Sequence, residues 1–272
     1  MRRFFICILF LVSMAVRAGG SHGRFVSLSP SITEIFYAIG AEDTLAGIVA
    51  PADYPPEASQ KEVVAGYDNV RYERIFALGV TDCFTTEGMQ NRQTLKRLEE
   101  LKINVVEYKM GSLEDMFASI IDIGSRSGRK EAAEKLVSRL RNELDAATKD
   151  NPREKRKAVF VVGADPLIVA GKGTFLNDVL DKAGLVNAFA ERSPSYFTAS
   201  PEMIVEAEPE FLVLPGGEIG PKDKESLLTQ LKPFIKDLKV LEVNAGLVTR
   251  PSPRVVQGIM KLLQEMKKGS SG

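Results

Sequence analysis

The chain has 272 residues, of which 44% are hydrophobic and 26% are charged, and its 36 Lys plus Arg balance its 36 Asp plus Glu. This composition is typical of a soluble globular protein, and the length suits one large domain or two smaller ones. Because there is no basic excess, no nucleic-acid partner is expected.

The first 18 residues have the order of a secretory signal peptide. Two arginines precede an apolar run from Phe4 to Val12, and small residues follow at Ala15 and Ala18. A transmembrane anchor is the alternative, but the run is shorter than the roughly 20 apolar residues needed to cross a bilayer. We therefore expect a leader, residues 1–18, that is cleaved on export, and a periplasmic or otherwise extracytoplasmic protein.

The mature chain is poor in the residues that catalysis and metal binding most often use. Cys83 would be its only cysteine, so no internal disulfide is expected. His22, the only histidine, falls in a stretch near the predicted mature start that is expected to be flexible. Catalytic triads that need a histidine base and His-rich metal sites are thereby disfavoured, and neither a metal nor a cofactor is expected.

Residues 19–110 alternate between strand and helix patterns. An apolar run at 24–28 predicts a first strand, and the next helix is predicted from the capping-box spacing of Ser31 and Glu34, with Gly40 as its stop. Further strands are predicted at 45–49, 81–85 and 104–108, with helices near 72–78 and 93–101. This alternation favours an N-terminal α/β lobe with a mostly parallel sheet.

Residues 111–150 form a helical segment. Ser112 and Asp115 have the spacing of a helix start, and a second helix is predicted from about 129 to 148. Its apolar stripe consists of Ala132, Leu136, Leu140 and Leu144. At about 1.5 Å per residue this helix would be roughly 30 Å long. It could connect two domains or lie on the surface of one, and periodicity alone does not separate these alternatives.

The strand and helix pattern resumes in residues 151–268, which predicts a C-terminal α/β lobe. Strands are predicted at 157–162, 167–170, 211–214 and 240–243, with helices at 174–183 and 254–267. Residues 269–272 are expected to be a disordered tail. Placed without gaps over residues 201–205, residues 72–76 align Glu73 with Glu202 and carry Gly88 onto Gly217. This register favours an internal duplication over coincidence.

Ligands of open α/β sheets bind beyond the carboxyl ends of the strands, where loops and helix starts converge. The candidate ligand-binding residues lie in these loops, whose aromatic side chains could stack on a flat ligand or simply pack. They are Ser31, Tyr54, Tyr67, Gly88, Met89, Gln90, Asp165, Lys172, Tyr196, Phe197, Gly217 and Arg250.

Glu73 and Glu202 occupy the first turns of their predicted helices. The helix macrodipole is a sufficient reason for an acid there. Their matched placement, one in each half, also suits two acids that engage basic pockets on one symmetric partner.

Five segments resemble the substrate-binding proteins of ABC importers for vitamin B12 and ferric siderophores. They are RFVSLSPSITE at 24–34, DYPPE at 53–57, YERIFAL at 72–78, VAGKGTF at 169–175 and RPSPR at 250–254. The resemblance implies two Rossmann-like α/β lobes with parallel-sheet cores, joined by a single long helix, with the ligand in the cleft. It also implies a monomer whose Glu73 and Glu202 dock onto arginines of a membrane permease that works with ATPase subunits. One departure, at 79–82, is the lack of the usual proline before Asp82.

The ligand class remains open between a corrinoid, a ferric siderophore and haem. A ferric catecholate favours several cations in the cleft, and the loops offer only Arg71, Arg92, Lys172 and Arg250. A corrinoid is the ligand we expect first, because its ring and amide groups bind through stacking and neutral hydrogen bonds. Haem stays possible through ligation by Tyr54 or Tyr67.

Two functions of other classes stand beside transport. An exported α/β hydrolase is disfavoured, because the chain lacks a G-x-S-x-G elbow and a histidine in its mature core. A cell-envelope adhesion module would have no ligand in the cleft.

Overall fold

Five parallel strands form the sheet of the N-terminal lobe. The structure, a computed structural model, describes residues 23–66, 69–149, 151, 155–192 and 194–268. The strands are β1 Phe25–Ser27, β2 Leu45–Val49, β3 Val63–Ala65, β4 Asp82–Thr86 and β5 Asn104–Tyr108, and the helices are α1 Pro30–Ala38, α2 Tyr72–Ala77 and α3 Arg92–Glu100. The sheet order is β3-β2-β1-β4-β5.

The central strands of this sheet are buried on both faces. Phe25 of β1 and Phe84 of β4 join Phe36 of α1 in an aromatic cluster, in which the centroid of the Phe84 ring lies 5.1 and 5.4 Å from those of Phe25 and Phe36. Val26 and Cys83 point into a second core on the opposite face. Burial on both sides explains why these strands are continuous apolar runs in the sequence.

Cys83 is completely buried, and burial raises the pKa of its thiol to about 12. Because the thiolate is the reactive form, we expect Cys83 to resist alkylation by iodoacetamide in the folded protein at about pH 8. It should react fully in concentrated guanidinium chloride, as intact-mass spectrometry would show. Rapid alkylation without denaturant would contradict the buried placement.

The predicted capping box at the start of α1 is wrong. The helix begins at Pro30, after Ser29, and Ser29 makes no side-chain capping hydrogen bond. Proline suits this first position because its ring fixes a helical φ and its missing N–H is not needed there. Glu34 is only 3% exposed, and its carboxylate pairs instead with a distant arginine. The predicted stop is confirmed, since Gly40 has a φ of 66°.

Two helices, α4 Leu113–Arg126 and α5 Lys130–Thr148, carry the chain from the first sheet to the second. The predicted start of α4 is confirmed, because Ser112 Oγ accepts a hydrogen bond from the backbone N–H of Asp115 at 3.0 Å. This bond satisfies one of the free donors at the helix start.

α5 runs back along α4. Ala133 of α5 lies against Gly124 near the turn, and Arg141, further along α5, pairs with Glu114 at the start of α4. A Cβ atom added to Gly124 would lie 2.4 Å from Ala133 Cβ. The glycine therefore permits the close approach of the two helices.

α5 is bonded to a different lobe at each end. Arg129 Nε, just before α5, donates to the backbone oxygen of Gly40 in the N-terminal lobe at 2.8 Å. Asn151 Nδ2, just after it, donates to the backbone oxygen of Lys182 in the C-terminal lobe at 2.9 Å. The predicted fold class, two α/β lobes joined by a long helix, is confirmed.

The predicted apolar stripe of α5 is correct at three of its four positions. Leu136, Leu140 and Leu144 are buried. Ala132 is only partly buried, whereas Ala133 is completely buried against Gly124. The stripe is therefore displaced by one residue at its start, where Ala133 packs against Gly124 of α4.

The C-terminal lobe contains a mixed sheet. Its strands are β6 Arg156–Ala164, β7 Leu167–Ala170, β8 Leu185–Asn187, β9 Tyr196–Thr198, β10 Phe211–Gly216 and β11 Lys239–Asn244. Its helices are α6 Phe175–Lys182, α7 Pro201–Ala207, α8 Pro221–Leu231, α9 Ala245–Val248 and α10 Val255–Lys268. The order is β11-β10-β6-β7-β9; β7 is antiparallel to both neighbours, and β8 pairs in parallel with the start of β6. The sequence pattern does not predict β3, β8, β9, α8 or α9.

The two lobes repeat one unit in the same register. The displacement that carries Glu73 onto Glu202 also carries the first residue of β4 onto that of β10 and the first residue of α3 onto that of α8. Gly88 and Gly217, which follow β4 and β10, both have a positive φ, 78° and 93°. The correspondence between the halves is therefore one of backbone conformation as well as of letters.

The predicted signal peptide, residues 1–18, and the predicted tail, residues 269–272, lie outside the described residues, as does His22. In the described part of the chain, no helix is both long and apolar enough to cross a membrane.

Candidate ligand-binding cleft and lobe tips

In the N-terminal lobe the strand order reverses between β1 and β4. The chain places β2 and β3 on one side of β1, and β4 and β5 on the other. The loops that follow β1 and β4 therefore leave toward opposite faces of the sheet, which is where ligands of such sheets bind. Ser29 and Thr86 lie at the two strand ends, and their hydroxyl oxygens are 3.4 Å apart.

The loop after β4 holds three of the predicted site residues, Gly88, Met89 and Gln90. Gln90 is 9% exposed, and its amide nitrogen has no hydrogen-bond partner among the described residues. The side chain lines a cavity of about 450 Å³. A buried donor without a partner costs free energy, so Gln90 is suited to bind an acceptor atom of a ligand.

In the C-terminal lobe the order of the sheet reverses between β6 and β10. Asp165 follows β6 in an exposed turn, and Gly217 follows β10. Both predicted residues therefore lie at carboxyl ends of strands, the position at which ligands of such sheets bind.

The β7–β9 pair brings Lys172, Tyr196 and Phe197 together. The backbone N–H of Lys172 donates to the oxygen of Arg192 at 2.6 Å, which holds the loop after β7 against the chain entering β9. Phe197 packs edge-on against Phe189, with ring centroids 5.4 Å apart. Of Tyr196 and Phe197, Tyr196 is the more exposed, at 47%, so its ring has surface available to a ligand.

A cluster of four charged side chains and one tyrosine connects the lobes. We call it the interlobe ion cluster, and its members are Glu34, Asp53, Tyr54, Arg250 and Arg254. Two nitrogens of Arg254, Nε and Nη2, each lie 2.8 Å from an oxygen of the Glu34 carboxylate, and its guanidinium carbon is 3.7 Å from the Tyr54 ring centroid. Arg250 pairs with Asp53 and lies 3.7 Å from Glu34. Its hydrogen bond holds the pKa of Asp53 below the usual value.

This cluster shows how the two sheets are oriented. Asp53 follows β2 of the first sheet, and Arg250 follows β11 and α9 of the second. Because these two residues pair, the carboxyl edges of both sheets face the same space between the lobes. Tyr54 is 41% exposed, but one face of its ring is covered by Arg254.

The sequence pattern does not reveal the roles of Glu34 and Arg254. Glu34 has helix-cap spacing, and Arg254 simply precedes a helix. The available signal was that Glu34 lies between the buried residues Ile32 and Ile35, on a helix whose first seven residues are all buried. A carboxylate in such a position requires a partner.

Each of the four cations considered for an anionic ligand already has an interaction. Arg71 Nη1 donates to the backbone oxygen of Val63 at 3.3 Å. The other three pair with acids: Arg92 with Glu107 at 3.9 Å, Lys172 with Glu191 at 3.3 Å, and Arg250 as above.

Two predicted residues have other positions. Ser31 is 5% exposed and lies in the first turn of α1, and Tyr67 lies outside the described residues. Across the described ranges, no group of three or more His, Cys, Asp or Glu side chains is placed to hold a metal ion.

The family model described as "Periplasmic binding protein" matches residues 25–236. The chain belongs to this family. Members are substrate-binding proteins of ABC importers, so this periplasmic binding protein is a binding protein and not an enzyme.

Named relatives share the same organisation. The vitamin B12-binding protein of Vibrio parahaemolyticus is 26% identical over 245 residues, which are 90% of this chain and 89% of that protein. The structure of the vitamin B12 binding protein BtuF of Vibrio cholerae matches with a TM-score of 0.78 and 22% identity, covering 92% of this chain and 98% of that one. The heme-binding protein RhuT of Roseiflexus sp. RS-1 matches with a TM-score of 0.79 and 22% identity, covering 91% and 99%.

Glu73 and Glu202 of this periplasmic binding protein lie at the starts of the equivalent helices α2 and α7, and both are exposed. Ser200 caps α7 by accepting from the backbone N–H of Met203, and its hydrogen bond with Glu202 lowers the pKa of that carboxyl. Each lobe therefore presents one exposed acid at an equivalent place.

Proposed function

We propose that this protein captures cobalamin or another corrinoid in the cleft between its lobes and delivers it to the permease of an ABC importer. In this proposal the protein is exported by its signal peptide and acts as a monomer outside the cytoplasm. Glu73 and Glu202 dock it onto the permease, which works with ATPase subunits.

The observation that carries the corrinoid assignment is the state of the four candidate cations. Each lies within 4 Å of an acid or of a backbone oxygen, so a trianionic ferric catecholate would compete with these contacts for the cations. A corrinoid presents a flat ring and many neutral amide groups, which need stacking surfaces and single hydrogen bonds rather than a cationic cluster. Tyr196 offers an exposed ring for stacking, and the Gln90 amide offers a hydrogen-bond donor.

The alternative ligands are a ferric siderophore and haem, for the same transport role. Haem is the stronger of these two because tyrosine can ligate its iron, and both Tyr54 and Tyr196 are more than two-fifths exposed. The names of the relatives include both vitamin B12-binding and heme-binding proteins.

Calorimetric titration of the mature protein with cyanocobalamin, haemin and a ferric triscatecholate separates the three ligands. We expect one-to-one binding of cyanocobalamin and weaker or no binding of the others. Preferred binding of haemin with a shifted Soret band would replace the corrinoid assignment. If none of the three binds, the proposed function itself is wrong.

In the same titration, Tyr196→Ala should weaken cyanocobalamin binding by at least about fivefold, because an aromatic stacking contact is worth roughly 1 kcal/mol beyond its buried area. Phe76→Ala is the matched control, since Phe76 is an exposed aromatic on α2, outside the candidate cleft residues. Equal affinities of wild type and Tyr196→Ala would exclude Tyr196 from the ligand contact.

A further inference from the structure

An apolar groove lies beside Glu202 at the tip of the C-terminal lobe, between α7 and α8. Its volume is about 410 Å³, and it is lined by Pro201, Glu202, Val205, Glu206, Thr229, Gln230 and Phe234. Phe234 is 72% exposed, more than any other large hydrophobic side chain that the structure describes. Pro201, Val205 and Phe234 give this groove an apolar surface with polar residues around it, and such a patch is typical of an interaction site.

The N-terminal lobe also has a groove beside α2 and α3, but most of its lining residues occupy other positions of the repeat, and its chemistry differs. It is lined by Tyr72, Asn91, Gln93, Thr94, Lys96, Arg97 and Glu100. Tyr72 and Thr94 are hydrogen bonded across it at 3.3 Å. The groove beside α2 and α3 is therefore polar, whereas the groove between α7 and α8 is apolar.

The charges around the apolar groove restrict what can occupy it. Glu202 and Glu206 form an acidic rim, and both are exposed. A second copy of this chain that met the groove through the same face would bring acidic rims together, which is unfavourable. A partner with an apolar side chain next to a basic residue satisfies both the groove and the rim.

We propose that the groove beside Glu202 is the apolar anchor of the permease-docking surface, and that Phe234 is its main contact. This inference rests on the proposed function, because the occupant is the permease. An apolar side chain of the permease enters the groove and packs on Phe234, while a neighbouring arginine or lysine pairs with Glu202. Buried aromatic anchors next to charged pairs dominate the affinity of most protein interfaces.

The test measures the affinity of the full mature protein for the ABC importer of the same organism, reconstituted in nanodiscs, by biolayer interferometry. Phe234→Gln should weaken binding by at least about tenfold with unchanged affinity for cyanocobalamin and an unchanged melting temperature. Met260→Gln, at another exposed apolar residue on α10, is the matched control and should bind as wild type does.

Binding by Phe234→Gln within twofold of wild type would overturn the anchor. Equal losses for Phe234→Gln and Met260→Gln would also overturn it, because the groove would then have no special part. If wild type binds the importer and Phe234→Gln does too, only this inference fails. If wild type does not bind the importer at all, the proposed function fails.

Discussion

Arg254→Ala is expected to lower the free energy of unfolding by about 3–5 kcal/mol, the cost of leaving one partner of a buried ion pair without the other. Glu34 is 3% exposed, and Arg254 supplies two of its hydrogen bonds. Arg250, which lies 3.7 Å from Glu34, shares its charge with Asp53 and compensates only in part. Removal of Arg254 also uncovers one face of Tyr54.

Equilibrium unfolding in urea measures this loss, with Arg139→Ala as the control. Arg139 pairs with Glu143 at 2.8 Å on the solvent-facing side of α5, and such surface pairs contribute about 1 kcal/mol or less. Adding Glu34→Gln to Arg254→Ala should recover part of the loss, since an amide needs no counter-charge. Equal losses in the Arg254 and Arg139 variants would show that Glu34 does not depend on its arginine.

The double variant Glu73→Arg/Glu202→Arg is expected to abolish delivery of the ligand while leaving its capture intact. If both acids face basic pockets on the permease, each reversal places like charges together, and each such contact costs several kcal/mol. The affinity for the importer should therefore fall by more than about a hundredfold. Cyanocobalamin should bind as to wild type, because the two acids lie on α2 and α7 and not among the candidate ligand contacts.

Uptake of cyanocobalamin into proteoliposomes that contain the importer measures delivery, and calorimetry measures capture. Glu134→Arg/Asp145→Arg makes the same change of net charge on exposed positions of α5 and should transport normally. Normal uptake by the Glu73/Glu202 variant would rule out docking through these acids. Loss of uptake in both double variants would point to net charge rather than to the lobe tips.

The local features of this fold could be predicted where one short segment determines them. The cap of α4 by Ser112 could be predicted because both residues of the hydrogen bond lie within four positions of each other. The glycine that ends a helix could be predicted for the same reason, since its backbone conformation is a local property. The strands β3, β8 and β9 have only three residues each, which is too short to show alternation; β1 is equally short, but the turn at Ser29 and the helix that follows it mark its position. They become strands through pairing with distant segments, which local patterns do not record.

The same distinction between local and distant contacts applies to the candidate site. The equivalence of Gly88 and Gly217 in the two lobes could be predicted because the two halves align without a gap. The partnership of Glu34 with Arg254 was not, because the two residues are 220 positions apart and Glu34 also fits a local capping pattern. Glu34 could be assigned only after burial had shown that water does not solvate it.

The two bonded ends of α5 have a mechanical consequence. α5 is a rigid helix whose two ends are hydrogen bonded to different lobes, through Arg129 and Asn151, so it fixes the distance between them. The interlobe ion cluster is a second connection between the lobes. With two connections in place, the lobes retain small rocking and twisting displacements but not a wide swing. The permease would then sense the ligand as a change of span and tilt between two anchor points.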